Sequence, residues 1–169
     1  QGLYPVTETI SRGNMSLTSQ ATWKTFVGVT SISSPAGITN NFSYDSENRL
    51  SSVSLTRTDN KTKVLQSYTY KISQYGDNNV ASKTYLSASA SHDVIERYDC
   101  RGRLRASIDI TPGGPVATLI EYDAMGREWR KYSPAPVDTD NPDDITISSS
   151  ASQFYSDSYP FAQNDYERS

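Results

Sequence analysis

Glu96-Arg97-Tyr98-Asp99-Cys100-Arg101-Gly102-Arg103-Leu104 returns later in the chain as Ile120-Glu121-Tyr122-Asp123-Ala124-Met125-Gly126-Arg127-Glu128. An earlier form is Phe42-Ser43-Tyr44-Asp45-Ser46-Glu47-Asn48-Arg49-Leu50. The shared unit is Tyr-Asp, two variable residues, Gly or Asn, then Arg, and the steps from Tyr98 to Tyr122 and from Tyr44 to Tyr68 are both 24 residues. Such a period marks a repeated supersecondary unit. Tyr suits a half-buried position on a pleated surface, with its hydroxyl free to reach water or backbone. The following Asp can accept hydrogen bonds from turn amides two residues on. Asn48, Gly102 and Gly126 fill the slot where a tight hairpin needs positive φ. Arg49, Arg103 and Arg127 then begin the return strand, placed to lie across a ring or to pair with an Asp. The Tyr68 copy keeps Tyr-x-Tyr, loses the Asp and the Gly-Arg, and gives way to the longer connection Gln74–Asn79.

Away from these units the same signals continue. Thr22–Val27 and Ser67–Ile72 alternate with period two and are rich in β-branched and aromatic residues. Pro35-Ala36-Gly37, Gly76–Asn79 and Pro112-Gly113-Gly114 punctuate them as turns. The expectation is an all-β fold: an antiparallel twisted sheet of hairpins, open or partly curled, over residues 1–132, with an irregular C-terminal arm over 133–169. Ser133-Pro134-Ala135-Pro136 breaks the strand pattern there, Ile145–Ile147 offers one more strand, and Phe154–Phe161 is aromatic. The arm belongs to the same domain or opens a continuation of the repeat array.

Composition narrows the function. The 169 residues are 35% hydrophobic and 11% aromatic with 12 Tyr. That is too few apolar residues for a thick core and too many rings for a solvated coil. Mean hydropathy is -0.63 and no apolar run reaches the length of a membrane-spanning helix, so no membrane insertion is expected. A formal net charge of -3 gives no footprint for nucleic acid. One Cys and one His supply neither a disulfide framework nor a zinc site. The chain opens on Gln1-Gly2-Leu3 without a signal peptide, which suits a processed piece and leaves secretion open. Asn14, Asn41 and Asn60 begin N-x-Ser/Thr triplets, a pattern common by chance in Ser/Thr-rich chains.

Four constellations tempt a chemical reading. His92 and Cys100 suggest a nucleophile and base, but Cys100 occupies the variable slot held by Ser46 and Ala124 in the other copies, which makes it a turn residue. Asp138–Asp144 offers oxygens for calcium, yet lacks the central Gly and closing Glu of a calcium loop and contains Pro142, so a solvated loop fits better. Asp45, Asp99 and Asp123 could be read as hydrolytic carboxylates, but each is followed by its own Arg, which keeps it ionised and structural. Trp23, Trp129 and Tyr132, with Tyr75, Tyr85 and Tyr155, could form a platform for sugar rings; a row of rings on a sheet is more often its own packing layer. No catalytic residue, metal ligand or cofactor is expected.

The recurring Tyr-Asp-x-x-Gly/Asn-Arg unit resembles the tyrosine-aspartate repeat of the RHS/YD-repeat family, as does the Pro35–Thr39 lead into Phe42–Asp45. The resemblance covers roughly residues 28–132. It implies a large secreted or cell-surface bacterial protein, similar in style to those of Bacteroidetes, whose hairpins wind into a spiralling sheet. Better-known members close that sheet into a shell around a toxin. This chain departs from them in its few repeats and one degenerate copy, and it shows no autoproteolytic core. The implied function is non-enzymatic: a scaffold whose partners are neighbouring repeats of the parent protein. The alternative is a surface-binding module that recognises glycan or a protein partner through an aromatic face. Open sheet edges would then be capped by the N-terminal segment, the tail or another chain.

Overall fold

A computed structural model describes residues 4–73 and 78–137. Among them are twelve β-strands and no helix, and every pairing between strands is antiparallel. The fold is all-β and open, as the turn signals and alternation require. The acidic run Asp138–Asp144, the Ile145–Ile147 strand, the aromatic tail with Tyr155, and Tyr75 lie outside the described residues.

The chain divides into two compact units, Gln1–Tyr68 with Thr84–Ser89, and Thr69–Lys83 with Ala90–Ser169. The first holds β1 (Thr7–Arg12), β2 (Met15–Lys24), β3 (Gly28–Ser33), β4 (Thr39–Tyr44), β5 (Leu50–Thr56) and most of β6 (Thr62–Lys71). Each strand pairs with the next in the chain, so this unit is a meander. Among its described residues none is fully buried, and Phe42, Val53 and Leu55 are half-covered. A single sheet has one side chain above and one below at each step, so without a second layer neither face can be sealed.

The second unit contains most of β7 (Asn78–Tyr85), with β8 (Ser91–Tyr98), β9 (Leu104–Thr111), β10 (Gly114–Tyr122), β11 (Glu128–Lys131) and β12 (Ala135–Pro136). The registers set Ile95 beside Ile108, Ile108 beside Ala117, and Ala117 beside Ala135, a cross-strand row on one face. Ile108 is fully buried, and Val137, Ile110 and Leu119 close around it. Small Ala at 106, 117 and 135 lets the neighbouring chains approach closely over that row. After β11 the chain kinks at Ser133-Pro134 and returns to the same edge of β10, where the Val137 N–H donates to the Pro115 carbonyl. Pro134 and Pro136 break the alternation without ending the pairing, because neither needs to donate to β10.

Candidate functional site

Each Tyr-Asp unit folds as a hairpin with one design. In the turn joining β8 to β9, the Asp99 N–H donates to the Arg103 carbonyl at 3.0 Å and the Gly102 N–H donates to the Asp99 carbonyl at 2.9 Å. The same two bonds close Asp45–Arg49 and Asp123–Arg127. This is a three-residue loop whose last residue takes the left-handed conformation, at φ 63° for Asn48, 75° for Gly102 and 80° for Gly126. All three residues expected at positive φ are there.

The Asp is the clasp of the turn. One Asp99 carboxylate oxygen accepts from the Arg101 and Arg103 N–H groups at 2.9 and 3.0 Å, and the other accepts from the Arg103 Nε at 2.8 Å. Asp45 repeats this with the Glu47 N–H, the Arg49 N–H and the Arg49 Nε, and Asp123 with the Arg127 N–H and Nε. The backbone hydrogen bond from Arg103 outweighs the cost of burial and holds the Asp99 carboxyl down at about 2, against an ordinary value of 3.8. For Asp45, burial pushes upward, but the Arg49 hydrogen bonds and charge prevail and its carboxyl also lies below the ordinary range. The backbone bond from Arg127 does the same for Asp123. Every carboxylate is held ionised by its own turn, which leaves none placed as a proton donor.

Neighbouring hairpins are joined by the Tyr and the Arg. Within the second unit the Tyr122 hydroxyl donates to the Leu104 carbonyl of the preceding hairpin at 2.9 Å, and the Arg103 guanidinium lies 4.5 Å over the Tyr122 ring. Within the first, the Tyr44 hydroxyl donates to the Val29 carbonyl at 2.8 Å. Gly28 makes room for it: a Cβ there would lie 2.6 Å from the Tyr44 hydroxyl oxygen. Tyr98 differs, its hydroxyl bonding Glu96 at 2.8 Å, and partial burial with that bond raises its phenol to about 12.

Two further turns have the same backbone without the Tyr-Asp signature. Ser34–Ile38 and Arg57–Lys61 show the same pair of bonds, with Gly37 and Asn60 at positive φ. The Ser34 hydroxyl accepts from the Ile38 N–H, standing in for the Asp. Sequence reading marks Pro35-Ala36-Gly37 as a turn but passes over Arg57–Lys61, where the Asn60 of an N-x-Thr triplet is the left-handed residue. Asn41, another triplet Asn, is half-buried and donates to Thr56 at 2.9 Å, which ties up its amide.

A register shift accompanies every Tyr-Asp turn. Tyr98 lies opposite Leu104 and Arg97 opposite Ala106, leaving Arg105 without a counterpart; Ser51 and Trp129 are the extra residues in the other two. Such a bulge re-aims the extra side chain, and Trp129 stands 64% exposed. Arg130 lies against both the Trp129 ring, at 5.5 Å, and the Tyr132 ring, at 5.9 Å, and the Tyr132 hydroxyl bonds Glu121 at 2.9 Å. Trp129 and Tyr132 are thus brought together through Arg130. Trp23 lies in the first unit, stacked on Tyr4 at 4.9 Å with its Nε1 donating to the Pro5 carbonyl, so the N-terminal segment covers one face of its ring and leaves the residue 36% exposed. Tyr85 bonds Ser67.

Beside Tyr132 an open cleft of about 570 Å³ is floored by Leu104, Ser107, Thr118 and Ile120 and walled by Lys131 and Pro134. No carboxylate lines it, so it offers no acid–base pair. His92 lies near the start of β8 and Cys100 in the turn after it: the ring bonds Asp109 at 3.0 Å and the thiol is exposed. The stretch of strand from His92 to Tyr98 alone spans about 20 Å, beyond any proton transfer. Among the described residues no group of three or more His, Cys, Asp and Glu side chains could hold a metal.

A family model described as "Domain of unknown function (DUF6443)" matches residues 68–169. The chain belongs to that family. The DUF6443 match begins at Tyr68 and takes in the Tyr98–Arg103 and Tyr122–Arg127 turns, while Tyr44–Arg49 precedes it. Comparison with curated proteins finds no match.

Proposed function

We propose that this DUF6443 chain is a non-enzymatic scaffold: a segment of a larger extracellular or cell-surface bacterial protein of the RHS/YD-repeat type, in which stacked hairpins build a sheet that encloses or presents other parts. The observation that carries this reading is how the repeat residues spend their bonding groups. Asp is used on its own turn, Arg103 on its own Asp99 and on the Tyr122 ring of the next hairpin, and Tyr122 and Tyr44 reach the preceding hairpin. A scaffold needs such nearest-neighbour bonds, whereas a catalytic site would keep some of these groups free for a substrate. The partners are then adjacent repeats of the parent protein.

A second reading is favoured by Trp129, Arg130 and Tyr132, whose exposed ring surface suits the apolar face of a sugar, with Tyr132 also lining the cleft. The two separate cleanly on a glycan array. For a scaffold the array stays blank, and Trp129→Ala changes neither binding nor fold. Binding to a glycan that Trp129→Ala abolishes while the melting curve is unchanged would replace the scaffold by a recognition module.

A further inference from the structure

The strand β1, Thr7–Arg12, lies at the end of the first unit's meander, and all six of its side chains are exposed. β3 supports β2 only over Gln20–Lys24, so among the described residues Thr7–Ser19 is a ribbon of two strands. A two-stranded ribbon is marginal in water, and an unpaired edge is a template for another strand. The Ala21 N–H donates to the Val6 carbonyl. Backbone groups alternate in direction along a strand, so Val6, Glu8, Ile10 and Arg12 turn theirs toward β2, whereas Thr7, Thr9 and Ser11 turn theirs outward. Glu8, Ile10 and Arg12 share one side-chain face, with Leu17 opposite Ile10 and Met15 opposite Arg12.

We infer that the β1 edge pairs with β1 of a second copy of this chain, antiparallel and two-fold about Ile10. That register sets Glu8 of each copy against Arg12 of the other, Ile10 against Ile10, and Thr9 against Ser11. The outward backbone groups of Thr9 and Ser11 meet as a hydrogen-bonded pair, and the charged and apolar residues fall in the closer, non-bonded positions. Sliding by two residues either way sets Ile10 against Glu8 or against Arg12 and leaves charge facing apolar surface. Slides by one bring inward-turned backbone groups to the seam. The pairing joins two marginal ribbons into four strands and lines Leu17, Ile10, Ile10 and Leu17 in one apolar row.

The whole chain, measured by sedimentation over a dilution series, should show a reversible dimer. Glu8→Arg alone or Arg12→Glu alone turns both symmetric charge pairs repulsive and should weaken the dimer about tenfold or more. The double variant Glu8→Arg/Arg12→Glu should restore it. Both sites are exposed, so circular dichroism should be unchanged. In a Cys100→Ser background, Ile10→Cys should form an intermolecular disulfide on mild oxidation. Glu8→Cys should not, its two copies being offset by four residues along the strand. A monomer at every concentration, a dimer indifferent to the single reversals, a double variant that stays weak, or equal cross-linking at both cysteines would each overturn the pairing. So would slow hydrogen exchange at Thr9 and Ser11 in a particle of monomer mass, which would put another part of the same chain on the edge.

Discussion

Asp99 shows how much of a turn one side chain can hold. It accepts from two backbone N–H groups and one guanidinium, and its folded carboxyl titrates at about 2, well under the ordinary 3.8. A carboxyl that is more acidic when folded adds stability wherever it is ionised in both states. That contribution is complete above about pH 4 and is lost as pH falls from there through 2. Asp99→Asn should therefore lower the melting temperature at pH 7 and flatten its decline between pH 4 and 2; an acid limb parallel to wild type would show the clasp to be inert. Gly126 carries the turn's other requirement, a φ of 80°, and a Cβ there would lie 3.0 Å from an Arg103 guanidinium nitrogen. Gly126→Val should cost about 1–3 kcal/mol in chemical denaturation. Ala124→Val, two residues earlier and first of the variable pair, should stay within about 0.5 kcal/mol. Equal losses would remove the reason for Gly at the fourth turn position.

At the scale of the hairpin, the Tyr hydroxyl is what ties one turn to the next. Tyr122→Phe keeps the ring under Arg103 and deletes only the hydroxyl that reaches Leu104, so it should cost about 0.5–1.5 kcal/mol. A melting curve identical to wild type would mean that water replaces the bond without loss. Turn chemistry was the most legible part of this site, because Asp, Gly and Arg at fixed offsets act locally and their partners lie within four residues. The connections between hairpins were not, since the Tyr122 hydroxyl finds a carbonyl 18 residues away and no pattern names that acceptor. Trp129, which the sequence offers as a platform ring, is exposed for a reason the strand pattern does not carry. The bulge places it outside the alternation of β11, so period-two counting assigns no face to it. Arg57–Lys61 carries no Tyr-Asp signature: its backbone turns as those units do, but neither Tyr nor Asp leads into it.

Across the whole chain, an all-β architecture follows from alternation and turn spacing, and a low apolar content correctly foretells little core. What composition could not apportion is where that core lies. Among the described residues its buried apolar members are Ala106, Ile108, Ala117, Ile120, Ala135 and Val137, all in the second unit. Ala135 and Val137 follow a Ser-Pro break that reads as the start of an irregular arm, yet they pair along β10 and pack against Ile108, because an edge strand tolerates proline where its amide is not needed. Ile108→Ala should accordingly cost about 2–5 kcal/mol, the usual range for emptying a closed apolar site. Val53→Ala, at a half-covered position in the first unit, should cost about 1 kcal/mol. Local opening follows the same division, since it is easiest where few apolar contacts must be broken. Native-state hydrogen exchange should find the slowest amides in β9 and β10 around Ile108 and Ala117. The amides of β5 should exchange faster, although β5 is paired on both sides by β4 and β6. Equal protection of β5 and β9 would mean that ladder hydrogen bonds, not burial, set the stability of these hairpins.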